Sequence, residues 1–280
     1  MSHLRNLFHK TTGPEPIPLA VAPTPIQGNT AVDDLSTEAP ATPATFPAEE
    51  AHLRAEIRLA YYSEPRSPAA DRYRLLRMRL KELWRSGRLK KLLITSPLAH
   101  DGKSTVTLNL ATALAERGKH SVLVVEADLH HSTLSENLKL RHWAGLTECL
   151  VDGISPLSAI RKIDPFGWCL LPAGEPRKNP TELLQTPVFG QVMQKLAPYF
   201  DWILIDSPPV IPLTDSLSIQ QHADGSLLVT RAGQTPREAL EQTIELLGKQ
   251  KVLGVVLNGV EPRNHLYYQY HEYNRSSQED

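Results

Sequence analysis

This sequence has few cysteines, no strong excess of positive or negative charge, and no long apolar run. Its 280 residues include two cysteines, Cys149 and Cys169, too few for a disulfide framework, which indicates a reducing compartment. Thirty lysines and arginines nearly balance 31 aspartates and glutamates, which excludes a globally basic nucleic-acid coat and a strongly acidic disordered chain. No apolar run approaches the roughly 18–20 residues of a membrane helix, and MSHLRNLFHK lacks the apolar core of a signal peptide. We therefore expect a soluble, cytoplasmic protein that reaches a membrane only through a partner or a surface patch.

The N-terminal segment is rich in proline, alanine and threonine. Eight of the 23 prolines fall within the first 50 residues, where no apolar periodicity survives. Such a segment cannot offset the entropy lost when its backbone is ordered, so we predict a disordered arm over residues 1–53. A tether or docking function and an inert extension are both compatible with this composition.

A basic region follows at 54–90, and its centre has helical periodicity. Residues 54–91 contain twelve lysines and arginines but only four aspartates and glutamates. Ser67-Pro68 is a typical helix start, with proline in the first turn, and Gly87 is a typical stop. The arginines are compatible with a solvated helix face or with an interface that binds carboxylates or anionic lipid.

From Lys91 onward, apolar runs alternate with helical patterns. The candidate strands are KLLITS, SVLVVEAD, WCLLPAG, DWILIDS, SLLVTRA and VLGVVLNGV. Continuous apolarity is typical of strands buried on both faces, as in a parallel sheet. One helix is predicted from Lys103 to Gly118, and another from Thr235-Pro236, where the sequence has a capping-box pattern. This alternation predicts a doubly wound, mostly parallel α/β domain over 54–263, with ligands at the carboxyl ends of its strands.

The segment LLITSPLAHDGKSTVTLNLA predicts a phosphate site between a strand and a helix. The candidate nucleotide-binding residues are Asp101, Gly102, Lys103, Ser104 and Thr105. Backbone N–H groups at a helix N-terminus bind anions. Lys103 would reach the β- and γ-phosphates, and the Ser104 hydroxyl would bind Mg²⁺. Pro97 replaces the first glycine of the full G-x-x-x-x-G-K-[ST] pattern, but the strand–loop–helix context still indicates nucleotide binding.

Carboxylates follow two further predicted strands. Glu126 and Asp128 come after SVLVV, and Asp206 ends the run DWILID. An acid at the exit of a buried strand is the Walker B arrangement, which holds Mg²⁺ directly or through water. We therefore predict Ser104, Asp128 and Asp206 as the metal ligands. The chain has no N-K-x-D motif, which argues against a GTPase, and Asn258 is either a base contact or a turn residue.

Tyrosines cluster near the end of the chain. Four of the eight lie within seven residues of HLYYQYHEYNRSSQED: Tyr267, Tyr268, Tyr270 and Tyr273. An apolar strand would not finish in SSQED, so we predict a tail over 264–280, with an edge strand as the alternative. Clustered tyrosines beside a phosphate site suggest phosphoacceptors. Each phosphate would add about −1.5 to −2 charges at pH 7, so a fully modified tail would repel strongly.

Taken together, these motifs resemble the bacterial tyrosine kinases of capsule and exopolysaccharide export, the CpsD/CapB-like autokinases. The resemblance covers roughly residues 60–273, and the segments that carry it are TSPLAHDGKST, VLVVEADL, ILIDSPPVIPLTDS, LLPAGEPRKNPTELL, ADGSLLVTRAGQTPREAL, VLGVVLNGV and the tyrosine cluster. It implies a P-loop NTPase fold related to the MinD/ParA ATPases, with ATP and Mg²⁺ as cofactors. It also implies that the tail of one subunit is phosphorylated by a neighbour in a ring.

The resemblance further implies a role for each catalytic residue. Lys103 would neutralise the γ-phosphate. Asp128 and Asp206 would act with Mg²⁺, and Glu126 would orient and deprotonate the tyrosine hydroxyl. Phosphoryl transfer depends mostly on positioning and electrostatics.

Partners are implied in the same way. Asp71, Arg74 and Arg77 match the family's ring motif E-x-x-R-x-x-R, with aspartate in the first place, so the arginines would pair with acids of a neighbour. A separate transmembrane activator or chain-length regulator would bring the kinase to the membrane. A tyrosine phosphatase would reverse its phosphorylation, and the resulting cycles would control polysaccharide polymerisation and export.

Three departures from the family pattern leave alternatives open. The usual D-x-D is Glu126-Ala127-Asp128, the arginine pair is His130-His131, and G-E-G in the loop is His100-Asp101-Gly102. A misplacement of about 1 Å can cost on the order of 10²-fold in rate, and histidines make the local charge pH-dependent. One alternative is therefore a nucleotide-binding scaffold or co-polymerase regulator with little kinase activity. The other is a MinD/ParA-like ATPase, although Leu98 replaces the second lysine of that class.

Overall fold

The computed structural model describes residues 45–54, 57–140 and 143–260. The predicted tail at 264–280 with its four tyrosines lies outside the described residues, as does most of the predicted arm. No helix in the described ranges is long and apolar enough to cross a bilayer.

Eight strands of the described chain form one sheet. They are β1 (Ala48–Glu50), β2 (Lys91–Thr95), β3 (Val122–Glu126), β4 (Arg161–Asp164), β5 (Trp168–Leu171), β6 (Trp202–Asp206), β7 (Gly225–Arg231) and β8 (Val252–Asn258). Their order across the sheet is β1-β4-β5-β3-β6-β2-β7-β8, and every neighbouring pair is parallel except β4 and β5. The six strands predicted from apolar runs are all present.

β1 lies inside the range that the sequence assigns to a disordered arm. It pairs in parallel with β4, with Glu49 opposite Ile163. Phe46 stacks on Phe200 just before it, with 5.5 Å between the ring centroids. Three residues, two of them glutamates, carry no strand pattern, so the sequence could not reveal this pairing. The folded domain therefore begins before residue 54.

Ten α-helices in the described ranges connect the strands. They are α1 (Ala60–Ser63), α2 (Pro68–Arg85), α3 (Lys103–Ala115), α4 (Thr133–Asn137), α5 (Leu146–Val151), α6 (Pro156–Ala159), α7 (Pro180–Leu184), α8 (Pro187–Leu196), α9 (Asp215–Gln220) and α10 (Arg237–Leu247). Ser67 caps α2 as predicted, because its hydroxyl accepts a hydrogen bond from Ala70 N at 3.2 Å. α10 differs from its prediction: Pro236 occupies the N-cap position, and Thr235 lies before the helix.

Both faces of the central strands are buried. Leu92 and Ile94 of β2 belong to the core cluster that includes residues of α2 and α3, whereas Leu93 belongs to the cluster that includes residues of α5, α7 and α8. β3 and β6 divide their residues between the same two clusters. Because successive side chains of a strand point to opposite faces, covering both faces requires apolar residues at every position. This explains why the runs in the sequence are continuous.

Candidate nucleotide-binding site

The predicted phosphate loop, residues 96–102, connects the carboxyl end of β2 to the start of α3. Gly102 has φ +95°, a conformation that glycine adopts without steric cost. A Cβ at this position would lie 2.0 Å from Asn258 Nδ2. Glycine is therefore needed both for the backbone conformation and for space. His100 also has a positive φ, +66°, at a cost of about 1–2 kcal/mol relative to an ordinary helical conformation.

The first turns of α3 contact acids from two neighbouring strands. Lys103 Nζ lies 3.0 Å from Asp128 Oδ2. Ser104 Oγ donates to Asp206 Oδ2 at 3.0 Å, and Thr107 Oγ1 donates to Asp206 Oδ1 at 2.9 Å. The structure thus brings Lys103, Ser104, Asp128 and Asp206 together, while Thr105 lies half-buried in the same turn. Thr107 was not among the predicted residues, although its position one turn after Lys103 could have suggested it.

The acids at this site are buried beside a partly exposed cation, Lys103. Asp206 is completely buried and Asp128 is nearly so. Burial raises the pKa of Asp206, and this outweighs the opposing effects of Lys103 and of the two hydroxyl donors. Desolvation lowers the pKa of Lys103, but the charges of Asp206 and Asp128 more than offset it, so the net shift is upward. Lys103 therefore stays a cation in a site that is shielded from water.

Glu126, which the family resemblance implied as the proton acceptor, is enclosed by hydrogen-bond donors. Its carboxylate is completely buried and accepts hydrogen bonds from Leu134 N at 2.7 Å and from Ala173 N at 3.2 Å. Ser135 donates to it twice, from its N at 3.2 Å and from its Oγ at 2.5 Å. Burial raises the pKa of Glu126 to about 7 despite these donors. The Glu126 side chain thus connects β3 to the first turn of α4 and to the chain after β5, and these segments enclose its carboxylate.

The two histidines after Asp128 also have internal contacts. His130 Nε2 lies 2.8 Å from Asp215 Oδ2, and His131 N donates to Asp128 Oδ1 at 3.1 Å. Asp215 is completely buried, and its Oδ1 has no hydrogen-bond partner among the described residues. Sequence reasoning missed Asp215, because one acid at the start of a short helix carries no strand-end signal. His130 therefore anchors the first turn of α9.

Asn258 is engaged within the chain. Its Nδ2 donates to the carbonyl of Asp101 at 3.0 Å, and its Oδ1 accepts from Gly259 N at 2.9 Å. Asn258 is the last residue of β8 rather than a turn residue, and its amide group is used within the chain. Asn258 fixes the phosphate loop at the end of β8.

The residues that match the ring motif lie on α2. Arg77 is mostly buried, and its Nη1 donates to Tyr61 Oη at 2.9 Å and to the Ala113 carbonyl at 3.2 Å. Arg74 donates to Asp71 at 2.5 Å and to a carbonyl just after α1. Both arginines, implied by the resemblance to pair with acids of a neighbour, are therefore engaged within their own chain.

The donor set at the strand ends suits a hard divalent cation. It consists of the Ser104 hydroxyl and the Asp128 and Asp206 carboxylates, with Thr133 Oγ1 2.9 Å from Ser104 Oγ. In the part of the chain that the structure describes, no three His, Cys, Asp or Glu side chains are grouped so that they could hold a metal ion. Mg²⁺ is usually bound by one or two carboxylates together with substrate phosphates. The residues present therefore fit a magnesium–nucleotide complex.

Comparisons with known proteins agree with this geometry. Residues 92–278 match the CobQ/CobB/MinD/ParA nucleotide binding domain family. Tyrosine-protein kinase YwqD of Bacillus subtilis is 31% identical over 211 residues, which cover 75% of this chain and 89% of YwqD. The succinoglycan biosynthesis transport protein ExoP of Rhizobium meliloti is 29% identical over 69% of this chain, but the match covers 25% of ExoP. The kinase domain of Escherichia coli tyrosine kinase ETK gives a TM-score of 0.70 at 25% identity, covering 76% of this chain and 84% of that one.

Proposed function

The chain belongs to the bacterial tyrosine kinases, on the CobQ/CobB/MinD/ParA nucleotide-binding fold, and from this we propose that it transfers the γ-phosphate of ATP to tyrosine. The observation that carries the proposal is the meeting of Lys103, Ser104 and two buried strand-end acids at the start of α3. We propose the tail tyrosines Tyr267, Tyr268, Tyr270 and Tyr273 as the main acceptors. A neighbouring subunit in a ring would phosphorylate them.

The site residues divide the work of binding and transfer. The amides at the start of α3 and the Lys103 ammonium bind the phosphates. Ser104 and Asp206 would hold Mg²⁺, with Asp128 acting through water, and the cation would neutralise charge on the β- and γ-phosphates. An arriving phosphate competes with Asp128 for Lys103, since the two side chains are paired at 3.0 Å. Nucleotide binding thereby frees the Asp128 carboxylate.

The transfer itself forms one bond and breaks one. The tyrosine oxygen bonds to the γ-phosphorus, the bond from that phosphorus to the β–γ bridging oxygen breaks, and ADP leaves. Because Glu126 is enclosed, we assign the hydroxyl proton to Asp128 and give Glu126 a positioning role. Little of the catalysis depends on a strong base, because phosphoryl transfer relies mainly on orientation and charge stabilisation.

The cellular role follows from the family. We propose that cycles of phosphorylation and dephosphorylation regulate the polymerisation and export of an exopolysaccharide or capsule. One relative carries succinoglycan biosynthesis transport in its name. A transmembrane activator or chain-length regulator would hold the kinase at the membrane, and a tyrosine phosphatase would reset it.

The decisive experiment is phosphotyrosine mass spectrometry on the full-length chain, treated first with a phosphatase and then with Mg²⁺-ATP. We expect phosphate on the tail tyrosines, and we expect Lys103→Met to reduce it to background because the phosphates lose their main cation. Lys119→Met, at an exposed lysine outside the site, is the matched control and should retain full phosphorylation. Equal phosphorylation of the Lys103→Met variant would contradict the proposal.

The enclosed Glu126 favours a second candidate, a nucleotide-binding scaffold with little kinase activity. That candidate predicts measurable ATP binding without phosphotyrosine, even after addition of the cytosolic segment of a neighbouring membrane protein. If the segment restores phosphotyrosine, the kinase simply requires its activator. A MinD/ParA-like ATPase would instead release inorganic phosphate from ATP and leave the protein unmodified.

A further inference from the structure

A buried carboxylate lies within the phosphate loop itself. Asp101 is 3% exposed. Its Oδ2 accepts a hydrogen bond from Leu98 N at 3.0 Å, and its Oδ1 accepts one from Thr235 Oγ1 at 2.6 Å. A negative charge in a loop that binds phosphate is unfavourable unless donors satisfy it. Here one donor comes from the loop, and the other comes from the segment that precedes α10.

The ends of β7 and β8 hold the same loop at further points. Thr235 Oγ1 accepts from Arg231 N at 2.7 Å, and so connects Asp101 to the end of β7. Arg231 Nη1 donates to the His100 carbonyl at 3.3 Å. Asn258 donates to the Asp101 carbonyl. The loop is therefore anchored to the 231–235 turn and to the end of β8.

We propose that Asp101 and Thr235 are positioning residues of the nucleotide site. Their hydrogen bond fixes the conformation of the phosphate loop, and it couples nucleotide affinity to the conformation of the 231–235 turn. This inference rests on the proposed function, since it concerns the same site. Thr235 occupies the place of a helix cap in the sequence, but its hydroxyl donates to Asp101 and accepts from Arg231 N, and α10 starts at Arg237 without a side-chain cap.

The test is the dissociation constant of a fluorescent ADP analogue, measured with Mg²⁺ on the full chain. Thr235→Val keeps the shape of the side chain and removes both the donor to Asp101 and the acceptor of Arg231 N. Affinity should therefore fall by about tenfold or more, the range of a hydrogen bond to a charged group. Thr235→Ser restores the hydroxyl and should bind within about threefold of the unmodified chain. Thr243→Val is the matched control, because Thr243 is a buried threonine of α10 whose hydroxyl donates to the Ala239 carbonyl of the same helix.

A double-mutant cycle separates this role from a general effect on folding. Asp101→Asn should weaken binding by itself, and adding Thr235→Val to it should cost much less than Thr235→Val alone, since the two residues share one interaction. If Thr235→Val melts at a much lower temperature, the affinities of Thr235→Ser and of Thr235→Val in the Asp101→Asn background still test the positioning role. Unchanged affinity in Thr235→Val, or fully additive effects, would overturn the inference alone. Failure of the unmodified chain to bind nucleotide would overturn both it and the proposed function.

Discussion

Glu126 and Asp128 lie two residues apart, and their surroundings give them different roles. Four donors from α4 and from the chain after β5 surround the Glu126 carboxylate. The Asp128 carboxylate is paired with Lys103 instead, an interaction that phosphate can replace. Glutamate is one methylene longer than the aspartate of the family pattern, and this is consistent with its reach into α4. We therefore infer that Glu126 supports the site without contacting the substrate.

This division predicts the behaviour of two variants. Glu126→Gln keeps an oxygen for the two backbone donors of α4, so the rate of tyrosine phosphorylation should fall by less than about tenfold, whereas loss of a general base costs typically 10²–10⁴-fold. Glu126→Ala leaves buried N–H groups unpaired, at about 1–3 kcal/mol each, and should lower the melting temperature clearly. The measurement is initial phosphorylation rate beside thermal unfolding, with the exposed Glu136→Gln as control. A rate loss above 100-fold in Glu126→Gln at unchanged stability would restore the role of base.

The site residues that the sequence could predict are those that follow the ends of strands. Lys103 and Asp206 follow continuous apolar runs, and such runs end at the same edge of a parallel sheet. Asp215 begins the short helix α9 and Thr235 lies in a turn, and neither could be predicted because each meets its partner only through tertiary structure. His130 lies 85 positions from Asp215, and Asp101 lies 134 positions from Thr235. The longer side chain of Glu126 likewise did not indicate which groups its carboxylate would contact.

At the scale of whole elements, α2 is held to the domain by polar and aromatic contacts. Arg77 donates to the Ala113 carbonyl near the C-terminus of α3, where a cation is favoured by the helix dipole. Trp84 Nε1 donates to the Asp201 carbonyl at 3.0 Å, and its ring stacks on Trp202 at 5.9 Å between centroids. The opposite face of α2 leaves Leu75 and Met78 exposed. Arg77 and Trp84 therefore hold α2 against the rest of the domain.

We predict that Arg77→Met lowers the free energy of unfolding by about 1–3 kcal/mol, because the Tyr61 and Ala113 acceptors lose their donor. Urea denaturation of the full chain measures this change. Arg79→Met is the matched control, because Arg79 is exposed on the same helix, and its stability should stay within about 0.5 kcal/mol of the unmodified chain. Unchanged stability of Arg77→Met together with loss of oligomers would instead place its main partner on a neighbouring subunit.

The strands differ in how clearly their sequences predict them. β2, β3 and β6 are covered on both faces, and their unbroken apolar runs are diagnostic of that environment. β4 has the sequence RKID and lies next to the edge strand β1, so it carries one buried apolar residue, Ile163, and no run. β1 and β4 depend on backbone pairing, which leaves no mark in the sequence.

At the scale of the whole molecule, strand order assembles the site. β3, β6 and β2 are neighbours in the sheet, and Asp206 lies opposite both Glu126 and Ile94. The phosphate loop is further anchored at the ends of β7 and β8. Residues at the ends of five of the eight strands thus lie at one edge of the sheet. A ligand bound at this edge would contact segments that are far apart in the chain.

Because the site spans the sheet, nucleotide binding should stabilise the entire domain. Mg²⁺-ADP at 100 times its dissociation constant adds about 2.7 kcal/mol, which raises the melting temperature of a domain this size by about 5–10 °C. Differential scanning fluorimetry measures the shift. Lys103→Met should lose most of it and Lys119→Met should keep it, while EDTA should reduce it, because the paired acids then face the phosphates without a cation. An equal shift in the Lys103→Met variant would mean that the nucleotide binds somewhere other than at the start of α3.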